Sequence, residues 1–182
     1  MKRLLLLGDS IRLNYAPYVY RKLSDRALIT GPEENGRFAK YTLHELPGWL
    51  RALGQPDVIH WNNGLWDLHH FNGREPLTSL ADYCADLARI YEILRGTGAR
   101  VIFATCTPVR ADNPEWDNAE ISQYNAAAVV LMDRWGVPVN DLHRVIAGHE
   151  AEWINEDDKI HLNRLGIKAA GDAVIAAVSP LL

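Results

Sequence analysis

Cysteine, long apolar runs and charge imbalance are all scarce in this chain. Cys84 and Cys106 are the only cysteines in 182 residues, and both read as reduced core thiols rather than as the halves of a disulfide. The formal net charge is −4 and no basic stripe is present, which argues against a nucleic-acid partner. No apolar stretch is long enough to span a bilayer. No repeat, low-complexity tract or linker divides the sequence, so one domain over residues 1–182 is expected, large enough to bury a core without metals or disulfides. The opening Met1-Lys2-Arg3 and four leucines look superficially like a secretion signal. Their apolar run is too short, and Gly8-Asp9 breaks it without a small-residue cleavage site, so it reads as a strand and the expected compartment is the cytoplasm.

What is present is an alternation of short apolar runs and amphipathic stretches. Strands are predicted over residues 3–8, 27–30, 57–62, 100–105 and 137–140. Helical spacing fills the intervals. Tyr15, Tyr18, Val19 and Leu23 share a face, and Leu43, Leu46, Leu50 and Leu53 recur through 42–53, where Pro47 is tolerable only near a start or kink. The clearest helix runs from Leu80 to Leu94, opened by Ser79 with Asp82 and closed by Gly96 or Gly98. Residues 121–135 are helical. A last helix over 164–178 is capped by Asn163 and carries Leu165, Ala169, Ala173 and Ala177 as a small-residue face for packing on a sheet. Five strands separated by helices imply right-handed crossovers and a parallel sheet covered on both faces.

Two short motifs sit at the ends of this pattern. Gly8-Asp9-Ser10 follows the first strand, and in open α/β sheets ligands bind outside the carboxyl ends of the strands. Asp158-Lys159-Ile160-His161 precedes the last helix. Serine, aspartate and histidine are the parts of an activated nucleophile. Each motif alone is weak, since Gly-Asp-Ser occurs by chance in roughly one chain in twenty of this length. Their positions in the strand and helix order add the information.

With Asn35-Gly36 after the second strand and Asn62-Asn63-Gly64-Leu65-Trp66-Asp67 after the third, the two motifs resemble the sequence blocks of the SGNH hydrolases, the GDSL-type esterases and lipases. The resemblance covers nearly the whole chain. It implies a three-layer α/β/α, flavodoxin-like fold with a five-stranded parallel sheet, and hydrolysis of small or carbohydrate-linked acyl esters without metal or cofactor. On that resemblance Ser10 is the nucleophile. His161 is the base and then the acid that protonates the leaving alcohol, and Asp158 fixes its tautomer. Asp157 is adjacent, but residues three apart share a side of a helix-like turn, which favours Asp158. Asp9 is expected to brace the turn by accepting backbone hydrogen bonds. The N–H groups of Ser10 and of Gly36, which lacks a side chain to obstruct it, are the expected oxyanion donors.

The third donor departs from the family pattern. Where Gly-x-Asn-Asp is usual, this chain has Gly64-Leu65-Trp66-Asp67. The Trp66 indole N–H can donate, or Asn62 or Asn63 can supply a carboxamide instead. Asn62 is favoured. It belongs to a His-x-Asn-x-Gly-Leu-x-Asp pattern similar to one branch of the family, and strand alternation puts it on the side of Gly64. Asn63 reads equally well as a turn residue. Other residues take plainer readings. His69-His70 beside Asp67 lacks metal-ligand spacing, His149-Glu150 is not followed by a second histidine, and Gly31 and Gly36 do not make a phosphate loop. Trp61, Trp116 and Trp153 read as anchors, with Trp66 and Phe71 as the two aromatics placed to meet a ligand. Arg110 reads as a solvated arginine, with contact to an anionic substrate as the alternative.

The leading expectation is a serine esterase acting on short acyl esters, acetyl above all, with a small acyl ester as its partner. The same residues serve an acyltransferase, thioesterase or lysophospholipase. A third reading keeps the fold and binds a glycan or protein after loss of catalysis at Trp66, against which the intact Ser10, Asp158 and His161 argue. Nothing in the sequence specifies an oligomeric state.

Overall fold

In the computed structural model, residues 1–70 and 75–182 are described. Their backbone forms a parallel sheet of β1 (Lys2–Leu7), β2 (Ala27–Thr30), β3 (Val58–Trp61), β4 (Arg100–Ala104) and β5 (Val139–Asn140), in the order β2-β1-β3-β4-β5. The helices are α1 (Ser10–Leu23), α2 (Ala39–Leu53), α3 (Leu80–Gly96), α4 (Asn118–Trp135), α5 (Leu142–Ile146), α6 (Glu150–Trp153) and α7 (Arg164–Val178). One layer joins α1, α5 and α6 to α7, and the other runs from α2 through α3 to α4. The expected three-layer α/β/α fold is therefore present. β1 lies between β2 and β3, with Leu4 paired to Val58 and Leu7 to Trp61, so Leu4 to Leu7 are buried on both faces. That is why the strand is an unbroken apolar run rather than an alternating one.

Local signals account for most boundaries. The Ser79 hydroxyl accepts from the Asp82 N–H at 3.1 Å to start α3, and the Asn163 carboxamide accepts from Leu165 and Gly166 at 2.9 and 3.3 Å to start α7. α2 begins earlier than its leucine spacing suggests, because its cap is remote. The buried Asp67 carboxylate takes the Ala39 N–H at 3.0 and 3.2 Å. The short α5 and α6 have too few turns to show a period in sequence.

One expected packing face is corrected. Leu165, Ala169, Ala173 and Ala177 form a half-exposed flank of α7, whereas the buried face is Gly166, Ala170, Gly171, Val174 and Val178. The glycines decide the rotation. A Cβ on Gly171 would stand 2.5 Å from Cδ1 of Tyr18 on α1, and one on Gly166 would stand 2.5 Å from the Trp153 carbonyl oxygen. Only that face lets α7 come this close to α1.

The sheet also buries a polar residue. His60, in the middle of β3, is fully enclosed. The Asn140 amide nitrogen donates to its Nε2 at 3.0 Å, which puts the ring hydrogen on Nδ1, 3.4 Å from the Tyr15 hydroxyl. Burial pushes its pKa down to about 4. A lowered histidine pKa means that the unfolded chain binds a proton before the folded one does, so stability is full above about pH 6.5 and is lost as pH falls towards 4. Urea unfolding is expected to show wild type losing roughly 2 kcal/mol more than His60→Gln between about pH 7 and about pH 4.5. Equal losses would show that this ring does not set the acid limb.

Candidate active site

Ser10 owes its position to the end of β1. The chain leaves the sheet at Gly8, and Asp9 caps α1 by accepting the Ile11 N–H at 2.9 Å, the bracing role expected of it. Ser10 is then the first residue of the helix, partly exposed, and its N–H has no intrahelical acceptor. The second Asp9 oxygen is buried with no hydrogen-bond partner among the described residues. Burial raises the Asp9 pKa, against the Ile11 N–H and the positive charges of Arg12 and His161. His161 therefore lies within electrostatic reach of the residue beside Ser10.

The Asp-x-x-His spacing is an Asx turn rather than a helical one. Oδ1 of Asp158 accepts the N–H groups of Ile160 and His161 at 3.0 and 2.8 Å, while Oδ2 faces Nδ1 of His161 at 3.0 Å. Lys159, between them, is left-handed at φ 61. Burial alone would raise the Asp158 pKa, but the two backbone N–H groups and the imidazole outweigh it and hold the carboxyl below its ordinary value. One carboxylate thus shapes the turn and orients the ring, leaving Nε2 as the outward nitrogen. The β4–α4 loop clamps the same turn, because the Lys159 carbonyl accepts from the Arg110 N–H at 3.0 Å and from the Asn113 amide at 3.1 Å.

The two ends of the chain meet at this point. Oδ1 of Asn14, one turn along α1 from Ser10, accepts the Leu162 N–H at 3.2 Å, and beyond that bond α1 and α7 pack along each other. Arg110 is not the solvated cation expected. Its guanidinium donates to the Ala151 carbonyl at 2.8 Å and stands 3.7 Å from Asp112.

The second block is arranged differently from expectation. The Gly36 N–H is not directed at a substrate. It donates to the Gly8 carbonyl at 3.0 Å. The missing side chain does permit a close approach, but to backbone, since a Cβ on Gly36 would stand 2.6 Å from that carbonyl oxygen. A residue that the sequence reading missed completes the contact. Arg12, 2% exposed, sends Nη1 to the Pro32 carbonyl at 2.8 Å and Nη2 to those of Glu34 at 2.7 Å and Gly8 at 3.5 Å. It ties the β2–α2 loop to the turn that presents Ser10. The only signal in the sequence is a cation two residues past the motif, where an apolar residue would otherwise face the core.

In the third block the two asparagines separate clearly. The Asn63 side chain is fully enclosed and fully used. Its oxygen accepts the Trp61 indole N–H at 2.7 Å, and its nitrogen donates to Thr42 at 2.9 Å and to the Arg37 carbonyl at 3.3 Å. The Asn62 amide donates to the Ala104 carbonyl at 3.0 Å and otherwise meets only the Cys106 sulfur, at 3.9 Å. Gly64 is obligatory here, at φ +140 and with room for no Cβ, which would fall 2.7 Å from that sulfur. Trp66 is half-buried and edge-on to His69, which in turn stacks on Trp116 at 4.4 Å. Asp67 is lifted to a pKa of about 7 by burial, against the Ala39 N–H and Thr78 bonds. Phe71 lies outside the described residues.

A serine at a helix start, an aspartate-held histidine and a carboxamide at the strand ends are residue types that an acyl-transfer hydrolase uses. The profile of the GDSL-like Lipase/Acylhydrolase family matches residues 6–169, and the chain belongs to that family. Its fold is that of solved relatives at low identity. An acetyl xylan esterase, AlAXEase, superposes with TM-score 0.82 at 18% identity over 97% of this chain and 99% of that one. The lipase/acylhydrolase from Enterococcus faecalis gives 0.82 at 18% over 99% and 96%. Axe2, an acetylxylan esterase from Geobacillus stearothermophilus, gives 0.79 at 15% over 97% and 94%. No curated protein sequence matches the chain. Among the described residues no helix is long and apolar enough to cross a membrane.

The networks behind the site set its stability. Asn63→Ala strands the Trp61 indole and loses the Thr42 bond, and Arg12→Lys gives up the planar fork that serves the Pro32 and Glu34 carbonyls together. Each is expected to cost about 2–3 kcal/mol in denaturant unfolding. A loss below about 0.5 kcal/mol for either would show that its bonds are replaced by water.

Proposed function

We propose that the protein is a serine esterase that hydrolyses short-chain acyl esters, acetyl esters first among them. The observation that carries this reading is the Asp158–His161 pair on a turn joined through Leu162 to Asn14, one turn along the helix that Ser10 begins. Ser10 Oγ attacks the ester carbonyl and gives its proton to Nε2 of His161, while Asp158 stabilises the imidazolium and holds the tautomer. The C–O bond to the alcohol then breaks, and His161 returns the proton to the leaving oxygen. Water, deprotonated by the same nitrogen, adds to the acyl-Ser10 ester and releases the acid and the free serine.

The negative charge on the tetrahedral oxygen is received by the Ser10 N–H, which has no helix partner, and by the Asn62 amide, whose second hydrogen has only a weak sulfur acceptor. Asn63 has no hydrogen to spare. Gly36 serves by fixing the Gly8 carbonyl. That two of the similar structures are acetyl xylan esterases supports an acetyl group on a carbohydrate as one substrate. No cofactor is required by this chemistry.

Hydrolysis of p-nitrophenyl acetate is expected, with kcat reduced at least about a thousandfold in Ser10→Ala and His161→Ala. Asn62→Ala is expected to lower kcat by roughly a hundredfold in protein that remains folded, with about 1–2 kcal/mol of stability lost along with the buried bond to the Ala104 carbonyl. Rates equal to wild type in folded Ser10→Ala and His161→Ala protein would overturn the esterase reading. A kcat effect confined to Asn63→Ala would move the amide donor to that residue.

A further inference from the structure

The Asp158–His161 turn has two anchors, and the mechanism so far uses one of them. Leu162 fastens the turn to Asn14, on the helix that begins with Ser10. The other anchor is the tip of the β4–α4 connection, residues 110–117, which reaches from this turn across to the third block.

That connection is built to be stiff. At its base the Asn118 carboxamide pairs with the Val109 backbone in both directions, accepting the N–H at 2.9 Å and donating to the carbonyl at 2.8 Å. Asn125 does the same for Cys106, at 2.8 and 2.9 Å. Both of these asparagines serve their own stretch of chain, whereas Asn113 joins two stretches. Its oxygen stays in the loop and accepts the N–H groups of Glu115 and Trp116 at 2.9 and 3.1 Å. Its nitrogen leaves the loop and donates to the Lys159 carbonyl at 3.1 Å, beside the Arg110 N–H at 3.0 Å. Lys159 is the left-handed residue between Asp158 and His161, so these bonds hold the turn at its least favourable backbone position.

Trp116 carries the link the other way. Its indole N–H donates to the Leu65 carbonyl at 2.7 Å, and its ring stacks on His69 at 4.4 Å. Leu65 is buried and follows a turn wrapped around the Cys106 sulfur. That sulfur meets the Asn62 amide at 3.9 Å, bonds the Asn63 carbonyl at 3.4 Å and leaves no room for a Cβ on Gly64. A continuous path therefore runs from the Asn62 segment through Leu65, Trp116, Asn113 and Lys159 to His161.

We propose that Asn113 and Trp116 are positioning residues that fix the Asp158–His161 turn relative to the Asn62 amide. This rests on the esterase reading and deepens it. In that reading the tetrahedral carbon is bonded to Ser10 Oγ and Asn62 holds its oxyanion, while Nε2 of His161 carries the proton for the leaving oxygen. As the C–O bond breaks, its electron pair goes to that oxygen and the proton must arrive there. The path sets the distance between the grip on the oxyanion and the proton donor. Neither side chain need touch the substrate.

The test compares kcat/KM, which reports acylation, for p-nitrophenyl acetate and phenyl acetate. The nitrophenolate departs readily without a proton, whereas the phenolate gains more from one. Asn113→Asp keeps the oxygen that accepts from Glu115 and Trp116 but replaces the amide donor to Lys159 with an acceptor. It is expected to lose at least about tenfold on phenyl acetate and no more than about threefold on p-nitrophenyl acetate. Trp116→Phe keeps an aromatic ring against His69, loses the indole N–H and is expected to show the same imbalance. Combined, the two changes are expected to cost less than the product of the single losses, because either one opens the same path. Equal losses on the two esters, no loss, single losses that multiply, or failure of Asn113→Asp protein to fold would overturn the positioning role and leave a Ser10-dependent esterase standing. Hydrolysis that persists in Ser10→Ala would bring down the esterase reading itself.

Discussion

The close seam between α1 and α7 is the constraint on which the rest of the structure depends. Ser10 begins one of these helices and His161 lies three residues before the other, some 150 residues later in the chain. Gly171 admits the Tyr18 ring at a distance no side chain would allow, and the Asn14 carboxamide bonds the Leu162 N–H at the top of the seam. Without that contact the Asp158 turn would still form, because its bonds are local, but the imidazole would have no fixed relation to the serine. The proton transfer proposed above requires the two groups within hydrogen-bond reach, and a seam of buried small residues is a rigid way to bring their segments together.

Behind the seam, a set of buried polar side chains keeps the strand-end loops in register. Arg12 spans from the Gly8 turn to the β2–α2 loop, Asn63 joins β3 to α2, and Asp67 reaches from the third block to the first turn of α2. Each is buried and each serves backbone or an interior side chain, so each specifies one arrangement of loops. The division of labour between the asparagines follows. A carboxamide with every hydrogen committed supports the frame, and its neighbour holds one hydrogen only on a weak sulfur acceptor.

Much of this was legible in the sequence, for reasons that are local. The strands were readable because buried parallel strands are short continuous apolar runs, as in Leu4 to Leu7. Asn163 and Ser79 announced their helices because capping depends on the next three residues. Asp158 was correctly paired with His161 by spacing, although the turn is an Asx turn around a left-handed Lys159 and not a helical one. What escaped the sequence depends on distant partners. The buried face of α7 was set one position away by the Tyr18 ring and the Trp153 carbonyl. The start of α2 was set by Asp67, and the destination of the Gly36 N–H by a carbonyl at the end of another strand. Arg12 carried no periodic or motif signal at all, yet its guanidinium organises the loop facing Ser10.

The central claim is that Ser10 is a nucleophile activated by His161, and covalent labelling tests it most directly. The full chain should react with a fluorophosphonate at one site, which peptide mapping places at Ser10, and the reaction should fall to background in His161→Ala protein that remains folded. Labelling of another residue, or labelling of Ser10 at an undiminished rate without His161, would contradict the account.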